Sequence, residues 1–267
     1  MIVASSHFKG INCLIVWTLL LLTACSTSSD HSAAEITNEP LLVAAATNVQ
    51  FAFIELGQRF TELHGHPVEF SFSASGNLAT QIENGAPFDV FVAANVAFVD
   101  RLSDQSLIIP ETQQLYAQGR LVLAVNHKAN FEITSLEDLL NPSIPWIAIA
   151  NPELAPYGQA AKEALETEGL WQSLEPKVVF AENIGQTLQF VQTGDAPVGL
   201  VALAIADVPE ITYTPLPSNL HAPINQAMGI VASTQNDRIA RAFLEFVVSP
   251  EGQAILETYG FQPPEGL

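Results

Sequence analysis

Only 2 cysteines occur in the 267 residues of this chain. Cys13 lies inside an N-terminal apolar run and Cys25 just after it, so the globular part has no disulfide framework and no C-x-x-C metal or redox pair. Positive charge is equally scarce: 9 Lys plus Arg stand against 28 Asp plus Glu, a formal net charge of -19. That balance argues against nucleic acid and anionic membrane surfaces as partners, because both are bound through basic patches. It does not exclude a small anion, since beyond a Debye length of about 8 Å charges are screened and donors in contact decide. After residue 25 no apolar run is long enough to span a bilayer. The phosphate loop G-x-x-x-x-G-K-[ST] is absent. What the chain does have is apolar residues, 48% of the total, enough for a large core in one or two domains.

Residues 1–25 read as an export signal and are set apart from the fold. Lys9 is the only formal charge before the apolar run 11–22, and Leu22-Thr23-Ala24-Cys25 follows at once. This tetrad resembles the lipobox of bacterial lipoproteins, which implies Cys25 as the lipidated first residue of the mature chain. An ordinary signal peptide with a chance cysteine is the alternative. Residues 26–40 (STSSDHSAAEITNEP) form a polar tether with little to bury.

The rest of the chain is organised around residues 41–53, LLVAAATNVQFAF. Leu41 to Val43 predict a buried strand, Ala44 to Ala46 allow close backbone approach, and Thr47 is placed as the N-cap of a helix whose apolar face is Phe51, Ile54, Leu56, Phe60 and Leu63. A strand ending at a helix start presents unpaired N–H groups and the positive end of the helix dipole, where an anion binds without any charged side chain. The expectation is capture of a small oxyanion with no chemistry done on it.

The same unit recurs. Residues 67–72 (PVEFSF) alternate as a strand with Val68, Phe70 and Phe72 on one face, and Ser73-Ala74-Ser75-Gly76-Asn77 leads into a helix with Leu78 and Ile82. Residues 88–93 (FDVFVA) form a third strand, followed by a helix over about 97–107. Beyond Gly119 come strands at 121–125 and 146–150, a Pro/Gly loop at 151–158, helix 159–170, strand 177–180, a helix opened by Asn183-Ile184-Gly185, strand 198–202, a return strand at 228–232, and helices 238–248 and 250–259. Strands alternating with helices through short links predict an α/β fold in two lobes, each a largely parallel sheet flanked by helices, with the ligand in the cleft between them. Lobe 1 is expected over 41–119 plus 230–267 and lobe 2 over 120–229, with hinge crossings near Gly119 and Ala227.

At this point the motifs AAATN (44–48), FSASGNLATQIENGAPFDVF (72–91), NPELAPYGQAAKEAL (151–165), AENIGQTLQFVQTGDAPVGLV (181–201) and ETYGF (257–261) are similar, in order, to the periplasmic molybdate-binding proteins of ABC importers. The resemblance implies a tetrahedral dianion, molybdate and by extension tungstate, held by hydroxyls and backbone amides and handed to an ABC permease. It implies a monomer in the periplasm or at the cell surface, attached to a membrane only through the lipid, with the oxyanion as cargo and no cofactor or cationic metal. Carried over by position, it implies the Thr47 hydroxyl, a backbone or side-chain donor of Asn48, the Ser75 hydroxyl, a backbone amide of Tyr157 with its phenol as a further contact, and the backbone N–H of Ile184. One departure is plain: some members carry a tyrosine directly after the GLV-type strand, and here that position is Ala202.

Other readings stand beside this one. Neutral donors suit any fully deprotonated dianion, so sulfate remains open; hydrogen phosphate would set its proton against a donor at a cost of about 1–3 kcal/mol. An organic acid would ask for an arginine, and Arg59, Arg101, Arg120, Arg238 and Arg241 all fall in helices or at a strand edge away from the junctions. A serine hydrolase would use Ser75, which follows a strand and precedes a helix, but the first glycine of G-x-S-x-G is missing and none of His64, His66, His127 and His221 sits in a triad setting. His64-Gly65-His66 reads as a solvated turn rather than a metal site. Thr47 and Ser75 also have a plain role as helix caps, and Tyr157 as a core aromatic.

Overall fold

The computed structural model describes residues 39–129 and 132–264. The expected signal, Cys25 and nearly all of the expected tether lie outside the described residues. Among those described, no helix is long and apolar enough to cross a membrane.

The chain runs β1 (Leu41–Ala46), α1 (Gln50–His64), β2 (Val68–Ser73), α2 (Ser75–Glu83), β3 (Val90–Ala93), α3 (Val96–Asp104) and β4 (Gln114–Gly119), then crosses at Arg120. It continues with β5 (Leu121–Asn126), β6 (Ile147–Ala150), α4 (Pro156–Thr167), α5 (Trp171–Leu174), β7 (Val178–Ala181), α6 (Ile184–Thr193), β8 (Val198–Ala202) and β9 (Ile211–Pro215). Residues 216–223 cross back to β10 (Ile224–Ile230), and α7 (Asp237–Val248) and α8 (Pro250–Thr258) follow.

Two five-stranded sheets result, in the orders β2-β1-β3-β10-β4 and β7-β6-β8-β5-β9. Each repeats one plan: three parallel strands, one antiparallel strand that has just crossed from the other lobe, and an edge strand. The sheets are therefore mixed, with β10 and β5 reversed against their neighbours. The central strands VFVA, IAIA and VGLVA are buried along their whole length, as strands covered on both faces by helices must be.

Three details depart from the sequence expectation. The return strand begins at Ile224, not Met228, and pairs with β3 and β4, so residues 224–229 lie in the first sheet and not in the second lobe. The buried face of α1 is Ala52, Phe53, Leu56, Gly57 and Phe60, so Leu56 and Phe60 of the expected face are buried while Phe51, Ile54 and Leu63 are exposed; at about 3.6 residues per turn 53, 56, 57 and 60 line one stripe and 51 and 54 fall beside it. The edge strands β4 (QLYAQG) and β9 (ITYTP) were not expected; one side of an edge strand is unpaired and polar residues blur its alternation.

In the first lobe Phe53 packs edge-on against Phe70, Tyr116 and Phe243, and Phe60 against Phe243. This aromatic cluster ties α1 and α7 to the sheet, each fully buried ring contributing about 1.5–3 kcal/mol. His64 stacks on Phe60 at 4.3 Å, and Gly65, at φ +67, closes α1 in the left-handed conformation. No group of three metal-binding side chains occurs among the described residues.

Candidate functional site

The strand-to-helix junctions of both lobes meet. Ala46, Ala74 and Ala94 at the ends of first-lobe strands pack in one cluster with Ala155, Tyr157 and Ile184 of the second lobe. Gly76 N–H, in the first turn of α2, donates to Leu154 O across the cleft at 2.9 Å. A Cβ on Gly185 would lie 2.5 Å from Thr47 Cγ2. The lobes are thus closed on each other, and at Gly76 and Gly185 the starts of α2 and α6 face the opposite lobe with no room for a larger side chain.

Thr47 does not cap α1. A 3-10 turn spans Thr47–Val49, the helix begins at Gln50, and neither Ala46 nor Val49 makes a side-chain cap bond. The Thr47 hydroxyl is instead buried with no hydrogen-bond partner, as is Asn48 Oδ1. Ser75 is the first residue of α2 and not its cap; that place belongs to Ala74, which has no cap bond to offer. Ser75 Oγ accepts the Ala94 N–H at 3.0 Å, an interaction that orients the oxygen and leaves its proton to donate elsewhere.

In the second lobe α4 starts at Pro156, three residues earlier than expected, so Tyr157 lies in the first helical turn rather than in the preceding loop. Proline at the first position is preorganised for a helix and needs no N–H partner. The residue before it is Ala155, again without a side-chain cap bond. Asn183 does cap α6, accepting from Gln186 N–H at 3.0 Å, and Ile184 is the first residue of that helix. Alanine is a poor N-cap, so the 3-10 turn at Thr47 and the helices α2 and α4 open with no side-chain cap on their first N–H groups. An anion at this place can serve as the cap.

Tyr157 is buried and its hydroxyl accepts from Gln226 Nε2 at 3.3 Å. Burial pushes its pKa well above the ordinary value, with Asn48 and Gln226 as donors drawing it partly back, so the phenol keeps its proton. A Cβ on Gly119 would fall 2.0 Å from the Tyr157 oxygen, so only glycine at the crossing lets the hydroxyl sit there. Ala202 is buried at the end of β8 and supplies no hydroxyl. Asn48 Nδ2 donates to Gln226 Oε1 at 2.9 Å.

Among the described residues the arginines lie elsewhere. Arg59 pairs with Glu62 and Glu251, Arg101 with Glu83, and Arg241 with Asp237 and Glu111. Arg238 is exposed on α7, and Arg120 marks the first crossing. The site is a neutral, desolvated set of hydroxyl and amide donors, suited to a compact oxyanion. The sequence reading did not find Gln226, Tyr116 or the alanine caps; a lone glutamine inside PINQAMGIV and alanine at successive helix starts were the available signals.

The sequence pattern described as bacterial extracellular solute-binding protein matches residues 41–262. The chain is 34% identical over 222 residues to the molybdate-binding protein ModA of Rhodobacter capsulatus, covering 83% of this chain and 87% of that protein. The periplasmic molybdate-binding protein of Azotobacter vinelandii superposes with a TM-score of 0.79 at 32% identity, covering 84% of this chain and all of that one. A Bacillus subtilis protein, YvgL, named as a candidate ABC transporter substrate-binding lipoprotein, is 30% identical over 91% of this chain and 93% of its own length. With a two-lobed fold, junctions converging on a closed cleft and a family match spanning both lobes, the chain belongs to the bacterial extracellular solute-binding proteins.

Proposed function

We propose that this chain captures molybdate between its lobes and delivers it to an ABC permease. The observation that carries the reading is the buried, unpartnered Thr47 hydroxyl beside helix starts capped by alanine. An unsatisfied buried donor costs about 1–3 kcal/mol, and an oxyanion repays it. Thr47, Ser75 and Tyr157 act as hydroxyl donors and Asn48 and Ile184 as backbone donors. Tungstate, with the same charge and tetrahedral shape, is bound as well.

Binding occurs without turnover. No histidine is hydrogen-bonded to Ser75 among the described residues, its Oγ accepting from Ala94 N–H instead, so the base that a serine nucleophile needs is missing there. Export and a lipid anchor at Cys25 are supported by the Leu22-Thr23-Ala24-Cys25 tetrad and by the lipoprotein name of the Bacillus subtilis relative. The protein acts as a monomer tethered to the membrane in the periplasm or at the cell surface.

A second reading rests on Asn48 Oδ1, a buried acceptor with no partner. An acceptor in the site would serve a protonated oxyanion such as hydrogen phosphate. Thermal unfolding of the soluble domain with molybdate, tungstate, sulfate and phosphate decides between them. A ligand at about 100 times its dissociation constant adds about 2.7 kcal/mol, which raises the midpoint by roughly 5–10 °C for a chain of this size. Shifts with molybdate and tungstate alone are expected; a shift with phosphate or sulfate alone reassigns the ligand, and none with any of the four overturns the oxyanion site.

A further inference from the structure

One side chain outside the five bonds to both halves of the site. Gln226 is fully buried on β10, the strand that carries the chain back to the first lobe, where the pairing with β4 is irregular between Gln226 and Ala227. Its Oε1 accepts from Asn48 Nδ2 at 2.9 Å and from Tyr116 Oη at 2.7 Å. Its Nε2 donates to Tyr157 Oη at 3.3 Å. Asn48 and Tyr116 belong to the first lobe and Tyr157 to the second, so the network closes only when the lobes do.

The direction of each bond matters. With two donors on Oε1 the glutamine amide is held in one orientation, and its N–H must face Tyr157. A phenol oxygen that accepts an N–H keeps its own proton for another acceptor. Among the hydrogen bonds of the described residues Tyr157 Oη donates to no acceptor, and the oxyanion reading of the site gives that proton to the bound anion. Buried polar side chains are retained where every bond is matched, and here each partner of Gln226 is a residue of the site or of the crossing strand β4.

We infer that Gln226 is the positioning residue that turns the Tyr157 hydroxyl toward the bound oxyanion and couples that contact to closure of the cleft. The inference rests on the oxyanion reading of the site. Gln226 does not touch the ligand; it acts through Tyr157, and through Asn48 on the opposite side.

Calorimetric titration of molybdate into the wild type, Gln226→Met, Tyr157→Phe and the double variant tests this, with unliganded thermal unfolding of each. Tyr157→Phe is expected to weaken binding about tenfold, the size of one hydrogen bond to an anion. Gln226→Met should weaken it by a similar factor, and the double variant should lie within about threefold of Tyr157→Phe alone, because both changes remove the same contact. Losses that multiply in the double variant, or a Gln226→Met protein that loses stability but binds as the wild type does, would overturn the inference. So would a Tyr157→Phe protein with unchanged affinity. If Gln226→Met does not fold, Gln226→Glu carries the same cycle: it keeps the shape and both accepted bonds but draws the Tyr157 proton away from the ligand, and should bind more weakly still. A wild type that binds none of the oxyanions sinks the proposed function itself, whereas a wild type that binds with an additive cycle sinks only the role of Gln226.

Discussion

The two lobes are built on the same five-strand plan yet bring different chemistry to the cleft. The first lobe offers side-chain hydroxyls, Thr47 with no partner and Ser75 held by Ala94 N–H. The second offers helix starts, α4 opened by Pro156 and α6 capped by Asn183, together with the one phenol of Tyr157. The first lobe leaves polar atoms unsatisfied in the closed structure, while the second satisfies most of its own. The difference teaches that repeating a fold does not repeat a site: the sheet order sets where donors can be placed, and the residues at the junctions decide which remain free.

The strongest way to break this comparison is to stop the lobes meeting. Gly185→Ala places a methyl 2.5 Å from Thr47 Cγ2, where both elements are packed. Overpacking of this kind costs about 1–3 kcal/mol, so molybdate binding should weaken roughly 10–100-fold. Calorimetry measures the loss, and small-angle scattering should show that ligand no longer compacts the chain. Unchanged affinity would mean that the closed contact is not part of the bound state.

A sharper contrast lies within the first lobe. Ser75→Ala and Thr47→Val should each weaken molybdate about tenfold, but their effects on the unliganded protein should differ. Ser75→Ala strips Ala94 N–H of its acceptor and should cost about 1–3 kcal/mol in denaturant unfolding. Thr47→Val removes a hydroxyl that has no partner, and stability should hold or rise. Equal destabilisation by both would show that Thr47 has a structural bond in the unliganded state.

The smallest effect on binding is expected from the second lobe's cap. Asn183 serves Gln186 N–H, so Asn183→Ala should cost about 1 kcal/mol of stability and leave molybdate affinity within about a factor of three. A large loss of affinity with little change in stability would place Asn183 in the site.

Much of the fold was legible in the sequence because its signals are local. Apolar runs such as VFVA and IAIA, broken by Gly-Ala-Pro and Asn-Pro, announce buried strands and short links wherever they occur. The boundary at β10 was missed because Ile224 to Ala227 mixes Asn and Gln with apolar residues, and only its pairing with β3 and β4 reveals a strand. Ser75 and Thr47 were legible as candidates for a role at the helix starts, but not which role: a cap and a ligand donor have the same residue type at nearly the same position.

By itself, then, the sequence determined an α/β chain with polar residues at repeated strand-to-helix junctions and scarce positive charge. Only the tertiary structure decided which donors stay free. Whether a polar atom is satisfied depends on groups far along the chain: Ala94 reaches Ser75, and Gln226 meets Asn48 from 178 residues away. Strand and helix periodicity is written in neighbouring residues, but hydrogen-bond satisfaction is a property of what folding brings together.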